Sequence, residues 1–309
     1  MSRKKVLLVI NPRAGVEVIK DRTLDIISVF NKAGYEASVY VTQAPKDGTR
    51  YVSENGSDYD IVVACGGDGT MHEVADGILN LEKRPAFAVM PCGSMNDFAS
   101  TLGMPNDLVK CAQAIVEGEV FNCDVGYTDG DRFIYAAAFG IFTEITFETP
   151  QYLKNAIGSI AYAVQGVMDL PTYKYHRLKV EYEGGCIEDD FALGLISNTT
   201  SIAGMRKLFD SVSSLEDGMV ELMLLKIPTN IEDVVRALRI INHLEPIDAE
   251  AVKRFAVFVQ TPWAKITSDE PLKWLADGEA NGVRSTTEIR VEKGVLPTIR
   301  ASKVYEDGT

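Results

Sequence analysis

The stretch ACGGDGTMHEV, Ala64 to Val74, sets three glycines around one aspartate directly behind the apolar run DIVVA. Glycines after a strand let backbone N–H groups turn inwards and leave room for a bulky anion. A helix beginning near Thr70 adds the positive end of its dipole at the same point. The product is a cradle for phosphates. A carboxylate inside it, Asp68, repels them unless a divalent cation lies between. The chemistry read here is that of a metal–nucleotide complex, with Asp68 facing the metal directly or through water. The competing reading is a strand–helix turn whose glycines serve positive φ and whose Asp68 caps the helix. The stretch matches neither G-x-G-x-x-G nor G-x-x-x-x-G-K-[ST], so it reads as neither a dinucleotide fingerprint nor a Walker loop.

Two further segments carry small polar residues in the same context. INPRAG follows the first apolar run and turns through Pro12 and Gly15; VMPCGSMNDFAS offers Gly93, the Ser94 hydroxyl and the Asn96–Asp97 pair. The elements that must position them alternate. KKVLLVI, YEASVYVT, YDIVVACGG and AFAVMP read as strands, with helices expected over Val18–Phe30, Pro45–Ser53 and Thr70–Leu81. Helices between short apolar strands are β-α-β units around a parallel sheet. Ligands of such sheets bind beyond the carboxyl ends of the strands. All three glycine-bearing turns belong to that edge, which points to one shared site.

After about Cys123 the texture changes. FIYAAAFGIFTEITF, RLKVEYEG, FALGLISN, MVELMLLK, FAVFVQ and AKITSD read as strands, with helices expected only at Tyr152–Asp169 and Ile231–Asn242. The fold class is therefore α/β plus all-β: a doubly wound α/β part followed by a mostly antiparallel β-sandwich. The first domain is placed at residues 1–123, with a C-terminal return over about 293–309, and the second at 124–292. No Ser/Gly linker marks the boundary, so the parts are expected to pack closely, with the active site in the cleft between them.

Bulk properties narrow the function. The chain has 309 residues, 46% hydrophobic and 24% charged, with a formal net charge of −13. That charge argues against nucleic acid as a partner. No apolar run approaches the ~18 residues of a membrane span. The basic-then-apolar start, MSRKKVLLVINP, has too short an apolar run for a signal core of ~7–15 residues, so it reads as a buried strand and the address as cytoplasmic. Five cysteines at 65, 92, 111, 123 and 186 form no CxxC pair, and the three histidines are scattered. Reduced, buried thiols are expected rather than a zinc site.

NPRAG, GGDGTMHEV and PCGSMNDFA resemble the catalytic domain of the diacylglycerol kinase and sphingosine kinase superfamily. The ordering over nearly the full length is similar to the soluble bacterial diacylglycerol kinases, and FETPQYLKNAIGSIAYAVQGVMDLP, DGMVELMLLK and the DGE at 277–279 extend the likeness. The resemblance implies that Gly66, Gly67, Gly69, Thr70 and Glu73 surround ATP, joined by Asn11, Pro12, Arg13, Ala14, Gly15, Thr42 and Ser94. It makes Glu279 the general base toward a lipid hydroxyl. ADGEANG is by itself a turn, and a glutamate there needs partial desolvation to accept a proton usefully. The resemblance also implies a structural Mg²⁺ held by Asp217 and the carbonyls of Ser214 and Met219; without it SSLEDGMVEL reads as a turn before a strand.

The implied activity is ATP- and Mg²⁺-dependent transfer of a γ-phosphoryl group to a membrane lipid, diacylglycerol above others, giving phosphatidic acid. Transient peripheral contact with the inner face of the membrane and a homodimer are expected with it. The chain departs from the pattern at Val16, Gln165 and Glu216. Glu216 stands where a second aspartate is frequent, which bears on any water-linked tie from there to Asp68. With −13 overall, weak attraction to anionic lipid is expected. The alternatives are an NAD kinase-like enzyme, which shares GGDGT but should carry Asn-Glu in place of Asn96–Asp97, and a nucleotide-binding relative without catalysis.

Overall fold

The computed structural model of the chain describes residues 3–13, 16–93, 96–140, 175–199, 201–202, 205–206, 214–226 and 256–303. The first part alternates as β1 (Lys4–Ile10), α1 (Val16–Lys32), β2 (Tyr35–Val41), α2 (Asp47–Asn55), β3 (Ile61–Gly66), α3 (Asp68–Leu79), β4 (Ala86–Pro91), α4 (Asp97–Thr101) and α5 (Leu108–Glu117). Its strands lie parallel in the order β4-β3-β1-β2. Val6–Ile10 and all of β3 are buried, as unbroken apolar runs covered on both faces must be. Helix α1 packs on α5 and α2 on α3. The two pairs cover opposite faces, as right-handed crossovers through this strand order require. The chain leaves β1 outwards to β2 and returns on its other side to β3. The switch point is thus the crevice between the carboxyl ends of β1 and β3, the place where such sheets bind ligands.

The helices differ from expectation in their bounds and in two additions, α4 and α5. Helix α3 begins at Asp68, two residues before Thr70, because Gly67 takes the N-cap position in an extended conformation (φ −90°, ψ −171°). The sequence pattern predicts neither α4 nor α5. The signal for α5 is Asp107, whose side chain accepts from the Val109 and Lys110 N–H groups and caps the helix.

The second part continues as β5 (Glu119–Thr128), β6 (Asp131–Phe133), β7 (Ala136–Gly140), β8 (His176–Tyr182), β9 (Gly185–Phe191), β10 (Leu193–Ser197), β11 (Ser201–Ile202), β12 (Met205–Arg206), β13 (Val220–Leu225), β14 (Ala256–Thr261), β15 (Trp263–Ala276) and β16 (Glu279–Arg300). Strand β15 pairs with β8 over Ala264–Ser268, shifts register, and pairs with β7 over Trp274–Ala276. A strand that changes partners at a bulge turns the sheet over on itself. Between the layers lies an apolar core that includes Phe133, Phe139, Leu178, Phe191, Leu222 and Trp274. The expected helices at 152–169 and 231–242 lie outside the described residues.

Strand β16 joins the two parts. It starts against β15, continues antiparallel to β5, and sets Thr298 beside Phe87 of β4 in parallel. Arg84 fastens this return by donating from Nη1 to the Val295 carbonyl at 2.6 Å. Among the described residues, fourteen strands form one mixed sheet running through both parts.

Candidate active site

The turns after β1, β3 and β4 meet at the switch point. The Asn11 N–H donates to the Cys65 carbonyl at 3.1 Å, and Asn11 Nδ2 donates to Thr70 Oγ1 at 3.0 Å. Asn11 Oδ1 accepts from the Arg13 N–H at 2.9 Å, closing the turn through Pro12. Thr42, buried on the other side of β1, donates its N–H to the Ile10 carbonyl at 2.9 Å. Pro12 and Arg13 are exposed. Ala14, Gly15 and Ser94, together with Gln165, lie outside the described residues.

The glycines serve close approach. None of Gly66, Gly67 and Gly69 has a positive φ, so the competing reading of a left-handed turn fails, and Asp68 is the first residue of α3 rather than its cap. A Cβ on Gly66 would stand 2.3 Å from Thr70 Oγ1, and one on Gly93 would stand 2.5 Å from the Gly67 Cα. The β3 and β4 turns therefore touch backbone to backbone. The three first N–H groups of α3 have no partner within their own helix, as at any α-helix start, and this end faces the crevice. Such a cradle, which a single Cβ would fill, fits a phosphate chain.

Asn96 organises the β4 turn. Its Oδ1 accepts from the Gly93 N–H at 2.9 Å, its Nδ2 donates to the Gly93 carbonyl at 2.7 Å, and its N–H donates to Asp68 Oδ2 at 3.2 Å. Burial lifts the Asp68 pKa above the usual carboxylate value, and the charges of Asp97 and Asp277 add to it, against the Asn96 N–H. A half-buried carboxylate among other carboxylates gains from a cation, so the residues here fit a nucleotide-bound divalent ion.

The distant DGE enters from β15 and β16. Asp277 (φ 48°) and Gly278 (φ 83°) form the two-residue turn between them, with Ala276 opposite Glu279. Positive φ at both positions is the type I′ hairpin geometry that Asp-Gly favours. Within this turn Asp277 is buried, while Gly278 and Glu279 are exposed, against the partial desolvation expected of Glu279. The Asp277 side chain is fully buried and accepts from the N–H groups of Ile134 (2.7 Å), Tyr135 (2.9 Å) and Ala136 (3.1 Å), and from His72 Nδ1 at 2.7 Å. The turn delivers Glu279 to the glycines: a Cβ on Gly69 would stand 3.3 Å from Glu279 Oε1. Burial raises the Tyr135 pKa, and the charges of Asp277, Asp68, Asp97 and Glu279 raise it further, which puts these four carboxylates in one locale.

Two groups of expected residues sit apart from this cluster. Glu73 directs its carboxylate away, accepting from the N–H groups of Lys46 (2.7 Å) and Gly48 (3.0 Å) at the start of α2. Asp217 Oδ1 accepts from the Met219 N–H at 2.9 Å and Oδ2 from Gln260 Nε2 at 3.1 Å. Ser214 Oγ accepts from the Glu216 N–H at 3.2 Å, while the Glu216 carboxylate is taken by Arg300 Nη1 at 3.1 Å. Among the described residues no three His, Cys, Asp or Glu side chains gather as a metal cluster. A carboxylate offers about four acceptor positions, so Asp217 retains capacity for an ion that carbonyls and waters would complete.

Sequence reasoning singles out Asn96 and the DGE without seeing that Asn96 clasps the β4 turn or that Asp277 anchors the hairpin, and it misses His72 and Asp124 altogether. Fully buried Asp124 accepts from the Gly218 N–H and from the Gly294 N–H at 2.7 Å, and its own N–H donates to the Leu215 carbonyl at 2.8 Å. It stitches the 214–219 loop to β16. Burial raises its pKa, the two N–H donors oppose that, and the charge of Asp217 reinforces it.

A family model described as "Diacylglycerol kinase catalytic domain" matches residues 5–128. A diacylglycerol kinase of Bacillus subtilis (strain 168) is 33% identical over 282 residues, covering 91% of this chain and 91% of the relative. One of Staphylococcus aureus (strain Newman) is 32% identical over 297 residues, covering 95% and 91%. A crystal structure of a diacylglycerol kinase from Bacillus anthracis str. Sterne superposes with a TM-score of 0.77 at 22% identity, covering 99% of this chain and 100% of that one. A second structure from that organism gives 0.83 at 24% identity, covering 99% and 98%. At these identities the structures show the fold alone.

Proposed function

The chain belongs to the diacylglycerol kinase family and is a lipid kinase; on that premise we propose that it transfers the γ-phosphoryl group of ATP to the hydroxyl of diacylglycerol, giving phosphatidic acid. The observation that carries this reading is the approach of Glu279 Oε1 to Gly69. It sets a proton acceptor against the turn that would hold the phosphates.

The residues divide the work. The N–H groups at the start of α3, freed of side chains by Gly66 and Gly67, hold the phosphate chain; Asn11 and Thr70 keep that turn in place. Mg²⁺, when bound with ATP, neutralises phosphate charge, and Asp68 is the carboxylate that would hold it. Glu279 takes the proton of the acceptor hydroxyl as the acceptor oxygen bonds to the γ-phosphorus and the bond to the ADP oxygen breaks. Positioning and charge neutralisation carry such a transfer, with little covalent chemistry asked of the protein. A structural Mg²⁺ at Asp217 and the Ser214 and Met219 carbonyls is proposed beside it, outside the reaction.

The division at residue 123 with the β16 return, peripheral contact with the inner membrane face and a homodimer belong to the same proposal. No helix among the described residues is long and apolar enough to cross a membrane. The test is a labelled-ATP assay in mixed micelles across diacylglycerol, sphingoid bases, ceramides and polyprenols, repeated with Asp68→Ala and Glu279→Gln. Phosphatidic acid as the product, lost in both variants, is expected. Nucleotide binding without transfer to any lipid would instead support the non-catalytic alternative.

A further inference from the structure

His72 and Asp277 connect the two sides of the site. His72 lies one turn after Asp68 on α3, and residues four apart share a helix face. Its partner, Asp277, is two residues before Glu279 and is held by three consecutive backbone N–H groups at 134–136. The carboxylate oxygens are acceptors only, so Nδ1 is the protonated nitrogen in the 2.7 Å contact. One hydrogen bond thus fastens the helix that opens with the glycine turn to the hairpin turn that carries Glu279.

We propose that His72 and Asp277 are a positioning pair that sets the distance between Glu279 and the glycine turn of α3, and that the rate of transfer depends on their hydrogen bond. The inference rests on the reading of Glu279 as the base. Three facts of geometry support it. Asp277 is immobilised by its four donors, so it is a fixed post rather than a mobile side chain. Gly278, at φ 83°, is the single residue between the post and Glu279, so a shift at one is felt at the other. The Glu279 carboxylate lies at the Gly69 backbone, where an error of about 1 Å is enough to cost about a hundredfold in rate.

The pair also has a charge. The groups facing His72 are Asp277, Asp76 on its own helix and Glu279. Burial disfavours the imidazolium, but the Asp277 hydrogen bond and charge, with Asp76 and Glu279, outweigh it and leave the pKa above the ordinary histidine value. A raised folded pKa means the cation's contribution is fully present below the unfolded pKa and fades as pH rises through the folded one. Above that pH the neutral ring still donates through Nδ1, but the positive charge beside Glu279 is gone.

The experiment compares His72→Leu, which removes the donor, with His72→Asn, whose Nδ2 lies about where Nδ1 does and keeps it. Steady-state kcat and KM for both substrates are measured across pH 5.5–9 (from about one unit below to about two and a half units above an ordinary histidine pKa). Amide hydrogen exchange at 134–136 is followed in parallel. We expect His72→Leu to lose roughly ten- to a hundredfold in kcat with KM for ATP within about threefold, and to exchange faster at 134–136. His72→Asn should recover kcat to within about threefold and lack the change of kcat with pH that wild type shows as His72 loses its charge. Wild-type kcat in His72→Leu, or a His72→Asn variant as slow as His72→Leu, would overturn the pair. Glu279→Gln is run alongside: wild-type turnover in that variant removes the base reading, whereas unchanged exchange at 134–136 in His72→Leu removes the positioning pair.

Discussion

Glu279 Oε1 comes so near the Gly69 backbone that a methyl group at residue 69 would stand 3.3 Å from it. The two residues arise from opposite ends of the chain, one from the first turn of α3 and the other from the hairpin between β15 and β16. A carboxylate at this point repels phosphates, and on the proposed reading it receives the acceptor's proton beside them. Glu279→Gln should therefore lower kcat by about 10²–10⁴-fold and leave nucleotide affinity within about twofold. Single-turnover transfer assays with a parallel nucleotide titration check this. Equal losses in binding and turnover would show that Glu279 serves the nucleotide instead.

The glycine turn can be tested without touching a polar group. In Gly66→Ala the new methyl meets both Thr70 Oγ1 and Thr70 Cβ; rotation cannot move the Cβ, so the first turn of α3 must shift and strain the Asn11–Thr70 hydrogen bond. Overpacking of this kind costs roughly 1–3 kcal/mol, read as a fall in the urea midpoint at unchanged slope. Loss of the phosphate cradle should weaken nucleotide binding beyond what the lost stability explains. Nucleotide affinity equal to wild type in a folded Gly66→Ala protein would argue against phosphates at this turn.

Asp68 predicts a trade between stability and function. Its pKa is raised in the folded state, by burial first and by Asp97 and Asp277 next. The sign follows from linkage: a raised carboxylate binds its proton more tightly folded than unfolded, so it destabilises once pH exceeds the folded pKa and ceases to do so below the unfolded one. Asp68→Asn should accordingly raise Tm at neutral pH without nucleotide and metal, flatten the loss of stability as pH rises above the ordinary carboxylate pKa, and abolish transfer. Thermal melts at several pH values, with and without ATP and Mg²⁺, test it. A Tm below wild type at neutral pH would mean that the Asn96 N–H outweighs the burial.

Much of this arrangement could be read from residue order. Unbroken apolar runs gave β1, β3 and β4 because strands covered on both faces need them, and three glycine-bearing turns behind such strands identify one sheet edge. Helix starts were less legible: α3 begins earlier than its apolar period because Gly67, not a side-chain cap, opens it. The long-range pairings were invisible. DGE reads as an exposed turn, and only the fold reveals that Asp277 is buried by three N–H groups from β7 and its approach. Asp124 looks like an ordinary strand residue until the 214–219 loop closes over it. The family resemblance groups Glu73 with the nucleotide residues, and only the fold reveals that its carboxylate accepts from the N–H groups that open α2.

Removing the Asp277 carboxylate should damage the fold as well as the site. Asp277→Ala strands three buried N–H groups and the His72 donor, and each unpaired buried donor costs about 1–3 kcal/mol. We expect a loss of about 3 kcal/mol or more in equilibrium unfolding, larger than that of Glu279→Gln, which strands none of those donors. If Asp277→Ala were as stable as wild type, water would have to replace all four bonds.

The 214–219 loop offers the last prediction. The charge of Asp217 adds to the burial that raises the Asp124 pKa, and Asp124 is fully buried. A divalent ion on Asp217 would relieve that repulsion and stabilise the folded chain. At Mg²⁺ concentrations about a hundredfold above Kd, linkage gives about 2.7 kcal/mol, a shift in Tm that needs no nucleotide. Asp217→Asn should lose most of this Mg²⁺-dependent rise while keeping its hydrogen bonds to Met219 and Gln260 in rearranged form. Asp68→Ala, which leaves the loop intact, should retain the rise and lose only the further increment seen with ATP. Melts of the three proteins in Mg²⁺, Ca²⁺ and chelator separate the two ions. A Mg²⁺ response identical in wild type and Asp217→Asn would show that the loop holds no structural metal, and that its hydrogen bonds to Asp124, Gln260, Lys293 and Arg300 keep it closed without one.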